Sequence, residues 1–524
     1  MIIDGAGVPA HSKLSTDICI VGAGAAGITL ALALADLKID VIVLESGGLE
    51  PTEAAQDLTH GQIGGLPYPP LETTHLRVFG GSTMHWGGWC RPFEPIDFEH
   101  RPWVPYSGWP IDRATLDPYY PRAQEICQLG DFQYDPAAWD LAPGSLPLTS
   151  ERVQSRLIQF SPPTRFGIRY RAPLIQSTRA TVYLNTTATR LRLVQNGRAI
   201  VGLSADTPAG NAFDVSAKRY IVAAGGIDNP RLLLASNDVA AAGVGNDNDL
   251  VGRFFADHLQ LDTAVLLPIA PRTDLGLYQL ASRNIPRRLK NHGRGANLMA
   301  YLTLDRQVQE TRRTLNYSAN VFAITEEDYA TLRAAADSGS ASGFGWDRLT
   351  SSIGELWREI SSSSAANAAT AVGGGLYKIV TTQEQAPNPA SRVRLSSERD
   401  AFGMPRTLLE WRLTDLDRDT IEVAIDELTK TFGANSVARI QYGLDLHHNG
   451  WPDKIPISWH HCGTTRMSTD PKQGVVDPYG RVHGIDNLYV AGSSLFPSNG
   501  NGNPTLTIVA LALRLAEHIG ATVT

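Results

Sequence analysis

Short, uninterrupted apolar runs punctuate the chain, and the first two flank an Ala/Leu-rich stretch. Asp17–Val21 (DICIV) reads as a strand that runs into a glycine-rich turn and then a helix, and Asp40–Glu45 (DVIVLE) reads as the next strand. Strand–helix–strand at this spacing predicts a βαβ unit and therefore a parallel sheet. RYIVAAGG (219–226), which leads into a predicted helix at Pro230–Ala235, and NLYVAGSS (487–494) are two more such runs. Both end in glycine or small residues, as strands do when they deliver a loop to a ligand at their carboxyl edge. Between them the pattern changes. Residues 91–175 are rich in Pro, Trp and Tyr with little periodicity, whereas 255–455 contain alternations such as RTLLEWRL (406–413) that predict an antiparallel sheet. The expected fold class is α/β with an α+β substrate part. A nucleotide-binding domain would be assembled from 14–90, 176–254 and 456–524, and a substrate-binding domain from 91–175 and 255–455. The Ala/Ser/Gly-dense segment 334–375 reads as a surface connection, with a lid as the alternative.

Composition removes several classes of function. A 43% hydrophobic and 19% charged content over 524 residues supplies a large core, and a net charge of −7 offers no basic excess for nucleic acid. Cys19, Cys90, Cys127 and Cys462 are scattered, so neither an iron–sulfur centre nor a disulfide framework is expected, and a reducing, cytoplasmic setting is the simpler reading, with export beside a partner subunit as the alternative. The opening MIIDGAGVPAHSK has no apolar signal core. The apolar stretches Leu30–Leu37 and Leu506–Leu515 are too short to span a bilayer, so no transmembrane segment is expected.

Candidate chemistry starts at Gly22-Ala23-Gly24-Ala25-Ala26-Gly27. In G-x-G-x-x-G the first glycine permits the tight turn, the second lets the backbone approach a pyrophosphate, and the third packs the helix on the strand. Glu45 stands at the end of the next strand, eighteen residues past Gly27, where an acid suits a ribose diol. The strand before the motif and the helix after it turn a weak signal into the expectation of an adenine dinucleotide.

Three later segments extend the pattern: FGGSTMHWGG (79–88), VAAGGIDNPRLLLAS (222–236), and WHHCGTTRM (459–467) with GVVDPYGRVHGIDNLYVAGSS and NGNPTLTIVAL after it. With the fingerprint, they resemble the glucose–methanol–choline (GMC) family of FAD-dependent oxidoreductases, nearest in motif to sugar- and glycoside-oxidising members and pyranose oxidase. The resemblance covers most of the proposed nucleotide domain and implies a Rossmann-like fold for it. It implies FAD as cofactor, contacted by Gly22, Gly24, Ala25, Ala26, Gly27, Glu45, Ser46, Gly80, Gly81, Ser82, His85, Trp86, Gly87, Ala188, Ala224, Gly225, Asn229, Gly492, Ser493, Asn503, Pro504 and Thr505. Asn229-Pro230 stands where Ser-Pro is commoner in the family. Some members tether the flavin through a histidine near the position of His85. The order Ser-Thr-Met-His departs from theirs, so a non-covalent contact is expected, with a tether as the alternative.

Oxidising an alcohol needs a base for the hydroxyl proton, and histidine suits that role near neutral pH. The family's base stands two residues before Gly-Thr, which points to His460 in His460-His461-Cys462-Gly463-Thr464, with His461 a structural neighbour. The second catalytic position falls on Asn503, forty-three residues on, which also reads locally as the N-cap of a helix with Pro504 at N1. The implied reaction is proton abstraction by His460 with hydride transfer to flavin N5. The adjacent pairs His447-His448 and His460-His461 lack metal-ligand spacing, so no metal is expected. The expected substrate is a small-molecule alcohol, foremost a secondary hydroxyl of a sugar or glycoside. Trp86, Trp89, Trp103, Tyr106 and Trp109 supply flat rings for it, although they serve equally as interface packing. An aryl or hydrophobic natural-product alcohol is one rival, and a non-redox lyase or non-catalytic flavoprotein is another. The electron acceptor stays open among oxygen, a quinone and a redox protein.

Overall fold

The computed structural model describes the chain except for residues 325–376 and 524 and short stretches within 142–150, 270–274, 291–292, 443–449 and 453–454. The Ala/Ser/Gly-dense segment and the pair His447-His448 therefore fall outside the described residues. Two eight-stranded sheets and a three-stranded one carry the architecture.

The first sheet orders its strands Ile2–Asp4, Ala180–Leu184, Val41–Leu44, Lys13–Val21, Ala212–Val222, Ile200–Asp206 and Thr187–Leu193, with Leu488–Val490 also paired to Ala212–Val222. The pairings among Ile2–Asp4, Ala180–Leu184, Val41–Leu44, Lys13–Val21, Ala212–Val222 and Leu488–Val490 are parallel. Central strands of such a sheet are covered on both faces, and Ile18, Cys19, Ile20, Val41 and Val43 are accordingly buried. Helix α1 (Ala25–Asp36) follows the first glycine turn and packs against the long C-terminal helix α4 (Thr505–Val523). The second sheet is antiparallel throughout, in the order Ala438–Tyr442, Leu259–Pro268, Tyr377–Gln383, Tyr317–Ala323, Ala296–Leu304, Val153–Phe160 and Trp89–Cys90, with Pro286–Arg287 also paired to Ala296–Leu304. Helix α3 (Asp415–Ala434) lies against it and opens with a Thr414/Asp417 capping box. RTLLEWRL lies not in that sheet but in the third. There Pro405–Trp411 pairs antiparallel to Arg392–Arg399 and parallel to Gly61–Gly65.

Two expectations change. Helix α4 continues to Val523, so it is long and apolar enough to cross a membrane, but 61% of Thr505–Thr522 is buried in the fold. Helix α2 spans Gly225–Ala235 and holds Pro230 in its interior, not at its start. Pro230 has no N–H to give the Gly226 carbonyl one turn back. The Thr464 hydroxyl donates to that carbonyl instead, at 2.6 Å. A Cβ on Gly226 would sit 2.5 Å from the His461 carbonyl oxygen. A proline and a glycine on α2 thus provide the seat for the 461–464 segment.

Candidate active site

A cavity of about 360 Å³ runs between the carboxyl ends of the parallel strands and the edge of the antiparallel sheet, and nearly all the sequence-derived site residues line it. Its floor is backbone. Gly22 takes φ +99°, and a Cβ on Gly27 would lie 1.9 Å from the Gly22 carbonyl, so α1 closes directly on the turn. Helix α1 has Gly24 as its N-cap with no side-chain cap, which leaves its first N–H groups facing the cavity. Added Cβ atoms on Gly24, Gly225 and Gly492 would meet nothing within 4 Å, as expected where backbone borders space meant for a ligand. Uncapped donors at a helix N-terminus and side-chain-free walls fit a pyrophosphate-bearing dinucleotide. Gly22, Gly24, Ala25, Ala26, Ser46, Gly81, Ser82, Trp86, Gly87, Ala188, Ala224, Gly225, Ser493, Pro504 and Thr505 would hold it. Glu45 lines the same space, but its two oxygens already accept the Ala23 and Gly47 N–H groups at 2.7 and 2.9 Å. Burial pushes its carboxyl up to about 7.

Three expected contacts support the site from behind. Gly27 touches the Gly22 carbonyl, and Gly80 donates its N–H to the Ala23 carbonyl at 2.9 Å. The buried Asn229 amide accepts from the Ala224 N–H at 2.6 Å and donates to the Ala491 carbonyl and the Ser494 hydroxyl. It straps two cavity-lining turns together and does not itself reach the cavity. Asn503 departs from its expected cap role. The Ile508 N–H bonds the Pro504 carbonyl, so Pro504 takes the cap position and Asn503 stands one residue before it, lining the cavity.

The histidine segment is built by long-range pairing. Ala256 and Cys462 exchange backbone hydrogen bonds at 2.9 and 3.1 Å, which sets 457–462 beside 256–259. Buried Asp257 then receives the Tyr68 hydroxyl and the backbone N–H groups of His258 and His460, each at 2.7 Å. Burial pushes this carboxyl up to about 7, against the pull of those donors.

The side chains of His258 and His460 meet Nδ1 to Nδ1 at 2.8 Å. His258 Nε2 lies 2.9 and 3.1 Å from the Gly500 and Asn499 carbonyl oxygens, which only accept, so Nε2 carries the proton. Burial lowers His258 to about 4, so its ring is neutral and its Nδ1 is an acceptor. His460 must therefore donate from Nδ1. Burial also holds His460 well below its ordinary 6.5, so its Nε2 bears a lone pair on a side chain that lines the cavity. This is the protonation state of a base.

His461 is buried among Tyr68, His75 and Phe255, and burial lowers it to about 3. The expected aromatic group divides. Trp86 and Trp89 line the cavity, whereas Trp109 is buried against Phe93, Phe98 and Phe496. Trp103 bonds the Thr314 carbonyl, and Tyr106 packs on Phe254 at the surface. Asp257, His258, Trp459 and the cavity-lining group in which Asp228 meets His75 at 3.3 Å and Arg77 at 2.7 Å were not identified from the sequence. The Asp-His pair at the mouth of an apolar strand was the only available signal for the first two.

The comparisons agree with this geometry. Residues 387–512 match the family model described as GMC oxidoreductase, and 17–243 that described as FAD dependent oxidoreductase. A 6'''-hydroxyparomomycin C oxidase of Streptomyces lividus is 26% identical over 96% of this chain and 92% of its own. A C-glycoside 3-oxidase of Microbacterium trichothecenolyticum is 27% identical over 66% of this chain and 54% of its own. Among solved structures, a fungal aryl-alcohol oxidase covers 97% of this chain and 99% of its own at a TM-score of 0.57 and 16% identity, a likeness of fold.

Proposed function

Given that the chain is an FAD-dependent oxidoreductase of the GMC type acting on CH–OH groups, we propose that it oxidises a secondary hydroxyl of a sugar or glycoside, with His460 as the base. The observation that carries the mechanism is the hydrogen-bond chain from the Asn499 and Gly500 carbonyls through His258 to His460, which leaves the Nε2 lone pair of His460 in the cavity. When bound, FAD supplies the acceptor for the carbinol hydride. His460 Nε2 takes the hydroxyl proton, and the positive ring that results keeps its Nδ1–H on the neutral His258 acceptor. The Asn503 amide makes no side-chain hydrogen bond among the described residues and is left to orient the substrate oxygen. His258 is a positioning residue that acts only through His460.

The sugar reading draws on the activities that name the Streptomyces and Microbacterium relatives, and the secondary hydroxyl follows the "3-oxidase" of the latter. Carbon 3 of a hexopyranose lies in the ring and carbon 6 outside it, so the name of the Streptomyces enzyme favours a second reading, oxidation at carbon 6. A substrate screen with an artificial electron acceptor beside an oxygen electrode, followed by NMR of the product, tests both. A ring ketone supports the first reading and an aldehyde the second. Aryl or long-chain primary alcohols preferred over every glycoside by about tenfold or more in kcat/KM would reject both.

A further inference from the structure

Trp459, immediately before the base, has a backbone φ of +59°. This left-handed region is one that a bulky side chain avoids, because Cβ crowds the following carbonyl. Local sequence does not impose it. It falls where the chain turns to give the next N–H, that of His460, to buried Asp257 at 2.7 Å. A glycine would make this turn without strain.

Packing does not explain the indole. Trp459 is 49% exposed, although it lines the cavity. Its ring contact is with His85, nearly parallel at 10° with centroids 5.9 Å apart, and its indole N–H donates to nothing among the described residues. Strain maintained by buried architecture, on a large ring left open beside the reacting position, is the pattern of a functional constraint. Trp86 and Trp89 are the other tryptophans of this wall.

We propose that Trp459 is the platform on which the sugar ring of the substrate stacks, so that it sets selectivity for cyclic over small acyclic alcohols. This rests on the sugar reading above. A pyranose presents an apolar C–H face and carries its hydroxyls at its edge. A ring seated on the indole buries that face against an aromatic surface and directs the edge toward neighbouring His460 and Asn503.

The test compares Trp459→Gly and Trp459→Phe with the wild type, all carrying FAD. Glycine relieves the left-handed strain, so W459G should unfold at the same temperature or higher and keep its flavin. Its KM for a glycoside should nevertheless rise by about tenfold or more, whereas W459F, which keeps a flat ring, should stay within about threefold of the wild type. A KM in W459G equal to that of the wild type, or an equal rise in both variants, overturns the platform. A wild-type enzyme that turns over no glycoside overturns the sugar reading and the platform with it, so the two failures are told apart before any variant is made.

Discussion

The proposed role of His460 as base rests on its contact with His258, a neighbour 202 positions away in the chain. His460→Ala should lower turnover by ~10²–10⁴ with FAD still bound, the range for a positioned general base. Near-normal turnover would move the assignment elsewhere. The pH dependence has a definite sign. A protonated His460 cannot accept the substrate proton, and burial holds its ring neutral well below pH 6.5, so kcat/KM should begin to fall only below that value on acidification. An acid limb above pH 6.5 would contradict the buried, neutral state. At His85 a non-covalent contact is expected, so acid precipitation of the flavin-loaded protein should leave the yellow colour in the supernatant. A coloured pellet would establish a tether.

What could be read from the sequence at this scale follows from locality. The glycine fingerprint and the spacing from His460 to Gly463-Thr464 are contiguous, so both can be matched along the chain before it is folded. The role of His258 depends on carbonyls of residues 499 and 500 and on a ring at 460, which only the folded chain brings together. The left-handed turn at Trp459 was equally hidden, because Asp257, which holds the N–H of the next residue, His460, lies 203 positions upstream of it.

Among the elements, α2 shows how a helix defect can become a docking point. The Gly226 carbonyl that Pro230 leaves without an N–H partner accepts the Thr464 hydroxyl. Thr464→Val should strand that carbonyl and cost about 1–3 kcal/mol in urea unfolding. Adding Pro230→Ala supplies an N–H to the same carbonyl, so the double variant should recover part of the loss, and equal stability of the single and double variants would show that the bond does not matter. Sequence reasoning placed four of the six strands in parallel pairings, because doubly covered strands are continuous apolar runs, and missed Ile2–Asp4 and Ala180–Leu184. It began α2 five residues late because a proline ordinarily marks a helix start, and here tertiary contacts outweigh that preference. The single alternation at 406–413 could not reveal which sheet the strand would join.

At the scale of the whole molecule, the 91–101 region is fastened to the antiparallel sheet by the fully buried pair Arg101–Glu384, bidentate at 2.8 and 2.5 Å. Removing one member leaves a buried charge, so Arg101→Met should destabilise by about 3–5 kcal/mol, and Arg101→Met with Glu384→Leu should be markedly less damaging. Equal damage in the two would show that packing, not charge, dominates there. The parallel sheet with its glycine turns and the antiparallel sheet, into which Asp257 and His258 lead from their contacts with His460, border one cavity, and the proposed function depends on that meeting. The most direct test is anaerobic mixing of the FAD-loaded protein with a glycoside in the dark, followed through the visible absorbance of the oxidised flavin. The account predicts rapid bleaching in the wild type and bleaching slowed by ~10²–10⁴ in His460→Ala. An unbleached flavin across a panel of sugars and glycosides, or equal rates in the two proteins, would contradict it.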